Sequence, residues 1–365
     1  MSWLLEYIRW AKEQRSKGIP AAGVKYLVWS CELPPGKKLP WVFCHGLSDR
    51  LRGIMSVLRL AVTTNRLLLV RQNSPASLEE FLMPHLIDWS VQPSQLPALA
   101  ERVMYTSNPK YCRGSTRTSE PYVWDHMACT LNAMIKDGSI HNRTDQFLFV
   151  EVNDAPSTPL PGLPDLMTTP MAQHCAFTAL FAASPATIQA AARHMALLGL
   201  EADAGPFTAL HLRLGGSLGE AVDLFHHKQP VSVHEVVDAV DCTKTLSQTY
   251  FDSLKPRQAL NASKLVLVTD NIEVRKLVAE KRFMPELSTV PGTPVHWERY
   301  EARSLTPLLE VMADLVILAR ATCLVHSHSG FSRIAYLWSG TACNHEVQGC
   351  AGVQEVQEVG QAVGG

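Results

Sequence analysis

Short apolar runs alternate with longer amphipathic stretches along most of the chain. In the first third, residues 49–64 repeat apolar side chains at helical spacing, and apolar runs at 41–46 and 66–71 flank them. This pattern predicts a strand, a helix and a second strand, which together form a βαβ unit. The strand predicted at 41–46 breaks at Gly46.

The last third repeats one pattern three times. Continuous apolar runs at 207–214, 264–270 and 322–330 each end in polar or glycine residues, and helical patterns lie between them. Short apolar strands that alternate with helices indicate a parallel sheet covered on both faces. The predicted fold class is therefore α/β, with two Rossmann-type domains in series.

The remaining segments define the predicted domain boundaries. An amphipathic helix is expected to end near Gly18, a strand is expected at 147–152, and an alanine-rich helix is expected at 171–200. The proline-rich stretch between those last two elements is the best linker candidate. The prediction is a first domain at 1–200, a second at 201–343, and a disordered low-complexity tail at 344–365.

Length and composition agree with a globular protein of two domains. The chain has 365 residues, of which 46% are hydrophobic and 18% charged, with a formal net charge of -1. No global basicity points to nucleic acid or an anionic membrane, so any anion site must be local. No run of roughly 20 apolar residues predicts an integral membrane segment.

The cysteines and glycosylation sequons leave the compartment open. Nine cysteines contain no Cys-x-x-Cys pair, which excludes a zinc ribbon or a thioredoxin motif, and their odd number leaves at least one thiol without an internal partner. Asn142 and Asn261 begin Asn-x-Ser/Thr sequons, which suit a secretory lumen. No targeting segment supports that location in the sequence.

His211 and Arg213 are the first candidate site residues. They lie two apart near the end of an apolar strand, so they share one face of it. Arginine meets phosphate oxygens with two parallel hydrogen bonds, and Gly215 and Gly216 permit close approach of the backbone to a ligand. A salt bridge from Arg213 to a structural carboxylate is an equally good interpretation.

The other two polar breaks offer similar alternatives. Ser329 and Ser332 flank Gly330 where a strand becomes a helix, so they suit either an anion site or a simple helix cap. Asp270 and Asn271 either cap a helix, with Asp270 and Glu273 at capping-box spacing, or reach a nucleotide.

The segment after the first predicted strand holds four further candidates, namely His45, Gly46, Asp49 and Arg50. It lacks the Gly-Lys-Ser/Thr of a Walker loop and the Gly-x-Gly-x-x-Gly of a dinucleotide site, which weighs against an NTPase and a dehydrogenase. The chain also has no Asp-x-Asp to hold a divalent metal against a diphosphate. A diphosphate would have to be neutralised by arginine and helix N-termini.

Four motifs in order, "GLSDRLRG", "HLRLGG", "VTDN" and "SHSGFSRIA", resemble those of the GDP-fucose-dependent fucosyltransferases, a superfamily that includes protein O-fucosyltransferases and α-1,2 and α-1,6 enzymes. The resemblance spans residues 42–337. It implies a GT-B fold of two Rossmann-like domains facing across a cleft, with the first on the acceptor side and the second binding the nucleotide sugar. It further implies metal-independent, inverting transfer of fucose from GDP-fucose to a glycan or protein hydroxyl, without a cofactor.

The resemblance also assigns roles by motif position. Arg213 matches the arginine that contacts the β-phosphate and stabilises departing GDP, and His45 is the candidate base, with Asp49 as its rival. The remaining matches are expected at the donor: His211 and Gly215 beside Arg213, Asp270 and Asn271 near the nucleoside, Ser329, Gly330, Phe331 and Ser332 around the phosphates, and Gly46 and Arg50 in the early loop facing the donor.

One departure from the family pattern keeps two other functions open. Gly216 stands where the family usually has an acidic residue, for which Glu220 could substitute only if its loop folds back. The alternatives are a non-catalytic sugar- or nucleotide-binding protein on the same scaffold, and a transferase that uses another nucleotide sugar. The family implies a Golgi or endoplasmic reticulum lumen, although the sequence shows no signal or anchor.

Overall fold

The structure is a computed structural model. It describes residues 2–32, 44–98, 101–106, 127–128, 130–152, 166–201, 205–214, 233–254, 264–297, 304–347 and 354–355. The chain divides into two compact units, Met1–Ser184 with His296–Arg303, and Pro185–Val295 with Ser304–Gly365. This division comes earlier than the predicted boundary at residue 200, and the assignment of the units to acceptor and donor stays a prediction.

A parallel five-stranded sheet forms the centre of the first unit. Its order is β2-β1-β6-β4-β5, with β1 Tyr26–Cys31, β2 Leu67–Gln72, β4 Met104–Thr106, β5 Met127–Ala128 and β6 Phe147–Glu151. Every residue of β1 is buried, as expected for a central parallel strand covered on both faces. A separate antiparallel pair joins β3 Leu82–Pro84 to β7 Phe181–Ala183.

The first unit also contains helices and short 3₁₀ turns among its described residues. The helices are α1 Ser2–Arg15, α2 Leu47–Thr63, α3 Leu131–Lys136 and α4 Pro170–Leu180, and the 3₁₀ turns are Leu78–Glu80, Pro93–Gln95 and Ser139–Asn142. Tyr7 attaches α1 to β2, since its buried hydroxyl donates to the Arg66 carbonyl (3.0 Å) and accepts from the Leu68 N–H (2.9 Å).

The second unit contains a six-stranded sheet in the order β10-β9-β8-β11-β12-β13. Its strands are β8 Phe207–Leu212, β9 Lys264–Thr269, β10 Leu287–Ser288, β11 Cys323–His326, β12 Cys343–Glu346 and β13 Gln354–Glu355. All neighbouring pairs are parallel except β12 with β13. Its helices are α5 Pro185–Leu197, α6 Val233–Ser253, α7 Ile272–Ala279, α8 Thr306–Arg320 and α9 Gly330–Ser339.

The chain order in this second sheet reverses at one point. From β8 it builds outward through β9 to β10, and then returns to the other side of β8 with β11 and β12. In open α/β sheets, ligands bind beyond the carboxyl ends of the strands at such a reversal. The gap between the ends of β8 and β11 is therefore where this unit should bind a ligand.

The α/β fold class is confirmed, and most predicted elements are present. The strands predicted at 66–71, 147–152, 207–214 and 264–270 correspond to β2, β6, β8 and β9. Residues 153–165 of the proline-rich linker predicted at 153–170 lie outside the described residues, as do residues 41–43.

Three predictions about elements are wrong. The strand predicted at 41–46 does not continue through Cys44 and His45, whose positive φ values of 62° and 55° belong to a turn, and the sequence analysis missed β1. The helix predicted at 171–200 is two helices, separated by β7 and restarted at Pro185, a residue favoured in the first helical turn. The tail predicted from residue 344 begins inside β12.

Two disulfides lie among the described cysteines, one in each unit. Cys31 at the end of β1 is bonded to Cys44, and Cys323 is bonded to Cys343, its partner in the register of β11 with β12. Cys175, on α4 of the first unit, is a free thiol.

Replacing both Cys31 and Cys44 with alanine is expected to lower the free energy of unfolding of the first unit by about 3 kcal/mol. The disulfide spans a sequence separation of 13 residues, and its loss frees that loop in the unfolded chain. Urea titration of the variant and the wild type measures the difference. Replacing the free Cys175 with alanine is the control, and equal stabilities of the double variant and the wild type would contradict the prediction.

Candidate functional site

Arg213 lies directly after β8, the strand at the centre of the second sheet. Its Nε is 2.9 Å from Oδ2 of Asp270, which directly follows the neighbouring strand β9, and their side chains are 31% and 27% exposed. The structure thus brings together two predicted site residues at the carboxyl edge of the sheet. An ion pair so open to water contributes at most about 1 kcal/mol, so it can yield to a better anion.

The backbone around Arg213 is fixed by side chains from both neighbouring strand ends. The Arg213 N–H donates to Ser327 Oγ (2.7 Å), and the Leu214 N–H donates to Asp270 Oδ1 (2.8 Å). In return, the Ser327 N–H donates to the His211 carbonyl (2.9 Å). These bonds hold the end of β8 in one position, so little reorganisation of the backbone is needed when an anion binds.

The N-terminus of α9 begins beside this strand end. Ser329 is the N-cap of α9, and its hydroxyl accepts a hydrogen bond from the Phe331 N–H (3.2 Å). This agrees with the prediction of a simple helix cap. The buried Ser332 donates its hydroxyl proton to the Ser329 carbonyl (3.1 Å), so it stabilises the turn. With Gly330 as its first residue, this helix of 10 residues directs a partial positive charge toward the β8–β11 gap.

His211 in β8, two residues before Arg213, is buried and neutral. It is 3% exposed, its ring centroid is 5.5 Å from that of Phe331, and within the described part of the chain its Nδ1 has no hydrogen-bond partner. Burial lowers the pKa of His211 to about 3, and His326 and Arg213 act in the same direction. The imidazole therefore contributes no charge at neutral pH.

This pKa predicts that His211 makes the protein sensitive to acid. Below pH 6.5 the unfolded chain binds a proton at His211 while the folded chain does not, so stability falls as the pH falls toward about 3. The expected loss from this residue is about 1.4 kcal/mol per pH unit. Urea titrations between pH 6.5 and 4.5 should give a shallower pH slope for His211→Asn than for the wild type.

His326 gives the matched background for that measurement. Burial lowers its pKa too, and it is present in both proteins. Identical pH slopes for His211→Asn and the wild type would contradict the assigned state of His211.

Asn271, and not Asp270, caps α7. Its Oδ1 accepts from the N–H groups of Glu273 (3.1 Å) and Val274 (3.0 Å). The predicted capping box of Asp270 with Glu273 is therefore wrong by one residue. The reason is that both Asp270 oxygens are used at the end of β8, by the Arg213 side chain and the Leu214 N–H.

In the first unit, the early loop leads into α2. Gly46 is the N-cap of this helix, and Asp49 in its first turn lies 2.9 Å from the guanidinium of Arg52. Arg50 is fully buried; its Nε donates to the His45 carbonyl (2.9 Å) and its Nη1 contacts the Ser74 carbonyl. Arg50 therefore stabilises the loop from inside, and its burial argues against the predicted contact with a donor.

One predicted site residue, and the two residues involved in the departure from the family pattern, cannot be placed. Gly215, Gly216 and Glu220 lie outside the described residues.

The sequence analysis missed a charged cluster at the carboxyl edge of the first sheet. Glu32, directly after β1, is 5% exposed; it is 3.0 Å from Arg71 Nε, contacts Arg102, and accepts from Ser30 Oγ (3.1 Å). The position of Glu32 directly after a strand could have indicated this cluster. It did not, because the first strand was predicted at 41–46 and not at β1.

The metal-binding potential of the described residues is limited to one group. Among them, the only group of three or more His, Cys, Asp or Glu residues whose ligand atoms all lie within 4.8 Å of one another is Cys323, Cys343 and His345. The two sulfurs are joined in a disulfide at the first residues of β11 and β12, the opposite sheet edge from Arg213. Within the described residues, no helix combines the length and apolarity needed to cross a bilayer.

The two sheets, parallel except for the pair β12 with β13, give the chain a GDP-fucose fucosyltransferase-like fold, of the Rossmann-like GT-B kind. A solved structure that is similar is an arginine-to-lysine mutant of FUT1 from Arabidopsis thaliana in complex with GDP, with a TM-score of 0.54 and 15% identity over 95% of this chain and 78% of that one. At this identity the likeness concerns the fold.

Two further solved structures are less similar. NodZ α-1,6-fucosyltransferase soaked with GDP-fucose has a TM-score of 0.48 and 16% identity, covering 88% of this chain and 94% of that one. POFUT1 in complex with GDP-fucose has a TM-score of 0.49 and 13% identity, covering 90% and 99%. No protein-family model matches the chain, and no curated protein matches it in sequence.

Proposed function

We propose that this protein is an inverting, metal-independent fucosyltransferase that moves L-fucose from GDP-fucose to a hydroxyl of a glycan or protein. The observation that carries the proposal is the position of Arg213. It lies at the reversal point of the second sheet, on a backbone held by Ser327 and Asp270, beside the N-terminus of α9. The chain also shares its fold with a structure solved in complex with GDP.

Arg213 and the N-terminus of α9 are suited to stabilise the negative charge that develops on GDP during transfer. The acceptor oxygen forms a bond to C1 of fucose while the bond from C1 to the β-phosphate oxygen breaks, which inverts the configuration at C1. The electron pair of the broken bond stays on GDP. A fixed guanidinium and helix N–H groups stabilise that negative charge, which increases toward the transition state.

The acceptor hydroxyl loses its proton in the same step. His45 is the proposed base and Asp49 its rival, and both lie where α2 begins in the first unit. Asp49 already forms an ion pair with Arg52. A strongly dissociative transition state would need little help from either residue.

The proposal is tested by measuring GDP release when purified protein is incubated with GDP-fucose, with and without EDTA. We expect turnover that EDTA does not abolish. A strict requirement for Mn²⁺ would contradict the mechanism.

Thermal shift with UDP and CMP sugars tests the identity of the donor, since a ligand that binds the native state raises its apparent stability.

The non-catalytic alternative has one observation in its favour, Gly216 in place of the acidic residue of the family pattern. It predicts binding of GDP or GDP-fucose without any release of GDP. The same assay therefore separates the two functions.

A further inference from the structure

One of the two glycosylation sequons lies on an exposed turn of the first unit. Asn142 is the last residue of the 3₁₀ turn Ser139–Asn142, which precedes β6. Asn142 and Thr144, the two residues that define the sequon, are both exposed, and Arg143 between them is not proline. A glycan on Asn142 would therefore extend into solvent without displacing a buried group.

The backbone of this sequon is attached to the body of the unit. The Arg143 carbonyl accepts from Lys25 Nζ (3.0 Å) and from Arg66 Nη2 (2.9 Å), residues that directly precede β1 and β2. The Arg143 side chain lies 2.6 Å from Asp145. The fold thus holds the middle residue of the sequon and leaves its two outer side chains at the surface.

The disulfides supply an independent argument about the compartment. Cys31–Cys44 and Cys323–Cys343 lie in different units, so each unit contains a pair of oxidised cysteines. Disulfides form and persist in secretory and extracellular compartments and are rare in reducing ones. The secretory lumen is also where Asn-x-Ser/Thr sequons are glycosylated.

Asn142 lies at the opposite edge of the first sheet from the candidate site residues of this unit. It precedes the start of β6, at the amino edge of a parallel sheet. The early loop with His45 and Asp49, and the Glu32 cluster, follow the carboxyl end of β1. A glycan at the amino edge leaves both of these regions of the unit uncovered.

From these observations we propose that Asn142 carries an N-linked glycan, added in the secretory lumen that the family resemblance implies. The donor is a lipid-linked oligosaccharide diphosphate. A bond forms between Asn142 Nδ2 and the anomeric carbon of the first sugar, and the bond from that carbon to the diphosphate oxygen breaks. The lipid diphosphate leaves with the electron pair, and the amide nitrogen loses one proton. This proposal does not depend on the fucosyltransferase activity.

The test is to secrete the full chain from insect cells behind a cleavable signal and to map its peptides by mass spectrometry. We expect a glycan on the Asn142 peptide, removed by peptide-N-glycosidase F with conversion of the asparagine to aspartate. Asn142→Gln and Thr144→Ala should lose one glycan step in gel mobility, and Thr144→Ser should keep it. Non-reducing peptide maps of the same sample should contain the Cys31–Cys44 and Cys323–Cys343 links.

Asn261→Gln is the matched control, because it removes the other sequon and leaves Asn142 intact. An unmodified Asn142 peptide in the secreted protein would overturn the proposal, whether or not Asn261 is modified. Free Cys31 and Cys44 thiols in that sample would contradict the disulfide on which the argument about the compartment rests.

Discussion

Arg213→Ala is expected to lower the kcat for GDP-fucose turnover about 100- to 1,000-fold. The variant removes the cation proposed to stabilise the charge on departing GDP, an effect of roughly 3–4 kcal/mol on the transition state. Because the Arg213 side chain is 31% exposed and its pair with Asp270 contributes little to stability, the variant should fold normally. Steady-state GDP release, with circular dichroism to verify folding, is the measurement.

Two further variants show whether the guanidinium itself is needed. Arg213→Lys keeps the charge but loses the planar pair of donors, so its rate should lie between those of alanine and wild type. Arg282→Ala is the matched control, since Arg282 is also exposed in the second unit and pairs with the nearby Glu280. It should turn over like the wild type. A folded Arg213→Ala variant with near-normal kcat would contradict the role given to this residue.

Asp314→Asn is expected to destabilise the second unit by about 3–5 kcal/mol. Asp314 on α8 is 6% exposed; it contacts the buried guanidinium of Arg275 on α7 and lies 3.5 Å from Nδ1 of the buried His194 on α5. Burial alone would raise the pKa of Asp314, but Arg275 and His194 offset it, and the pKa lies below its usual value. The neutral amide would leave the Arg275 guanidinium buried without its carboxylate.

Denaturant unfolding of the second unit measures this loss. Asp241→Asn is the matched control, because that acid pairs with Lys244 at the surface of α6 and its loss should change stability by no more than about 1 kcal/mol. The double variant Arg275→Met with Asp314→Leu should lose less than Asp314→Asn alone, because it leaves no uncompensated charge. If Asp314→Asn lowers the free energy of unfolding no more than Asp241→Asn does, the buried pair of Asp314 and Arg275 does not stabilise this unit.

Local patterns in the sequence were enough to predict three strands of the second sheet, β8, β9 and β11, but not β10, β12 or β13. The strands β8, β9 and β11 are continuous apolar runs ending in polar residues, and a parallel sheet brings those ends to one edge. The proximity of the Arg213, Asp270 and Ser327 segments therefore followed from strand order. Strand order did not predict the partner of the Arg213 side chain, because Asp270 is 57 residues away and had a local alternative as a helix cap.

The first unit was harder to predict because its decisive features are not local. Two apolar runs, at 26–31 and 41–46, compete for the first strand, and only the pairing of β1 with both β2 and β6 decides between them. The Cys31–Cys44 link could not be chosen from nine cysteines. Arg50 was predicted to face the donor because nothing near it in the sequence indicated the Ser74 carbonyl as its partner.

The most direct test of the account compares the binding of GDP and GMP to wild-type protein and to Arg213→Ala by isothermal titration calorimetry. If Arg213 binds the β-phosphate, the wild type should prefer GDP by about 10- to 100-fold, the range of a charge-assisted hydrogen bond. That preference should nearly disappear in the variant, while GMP affinity changes little. An undiminished preference for GDP in Arg213→Ala would contradict the central claim.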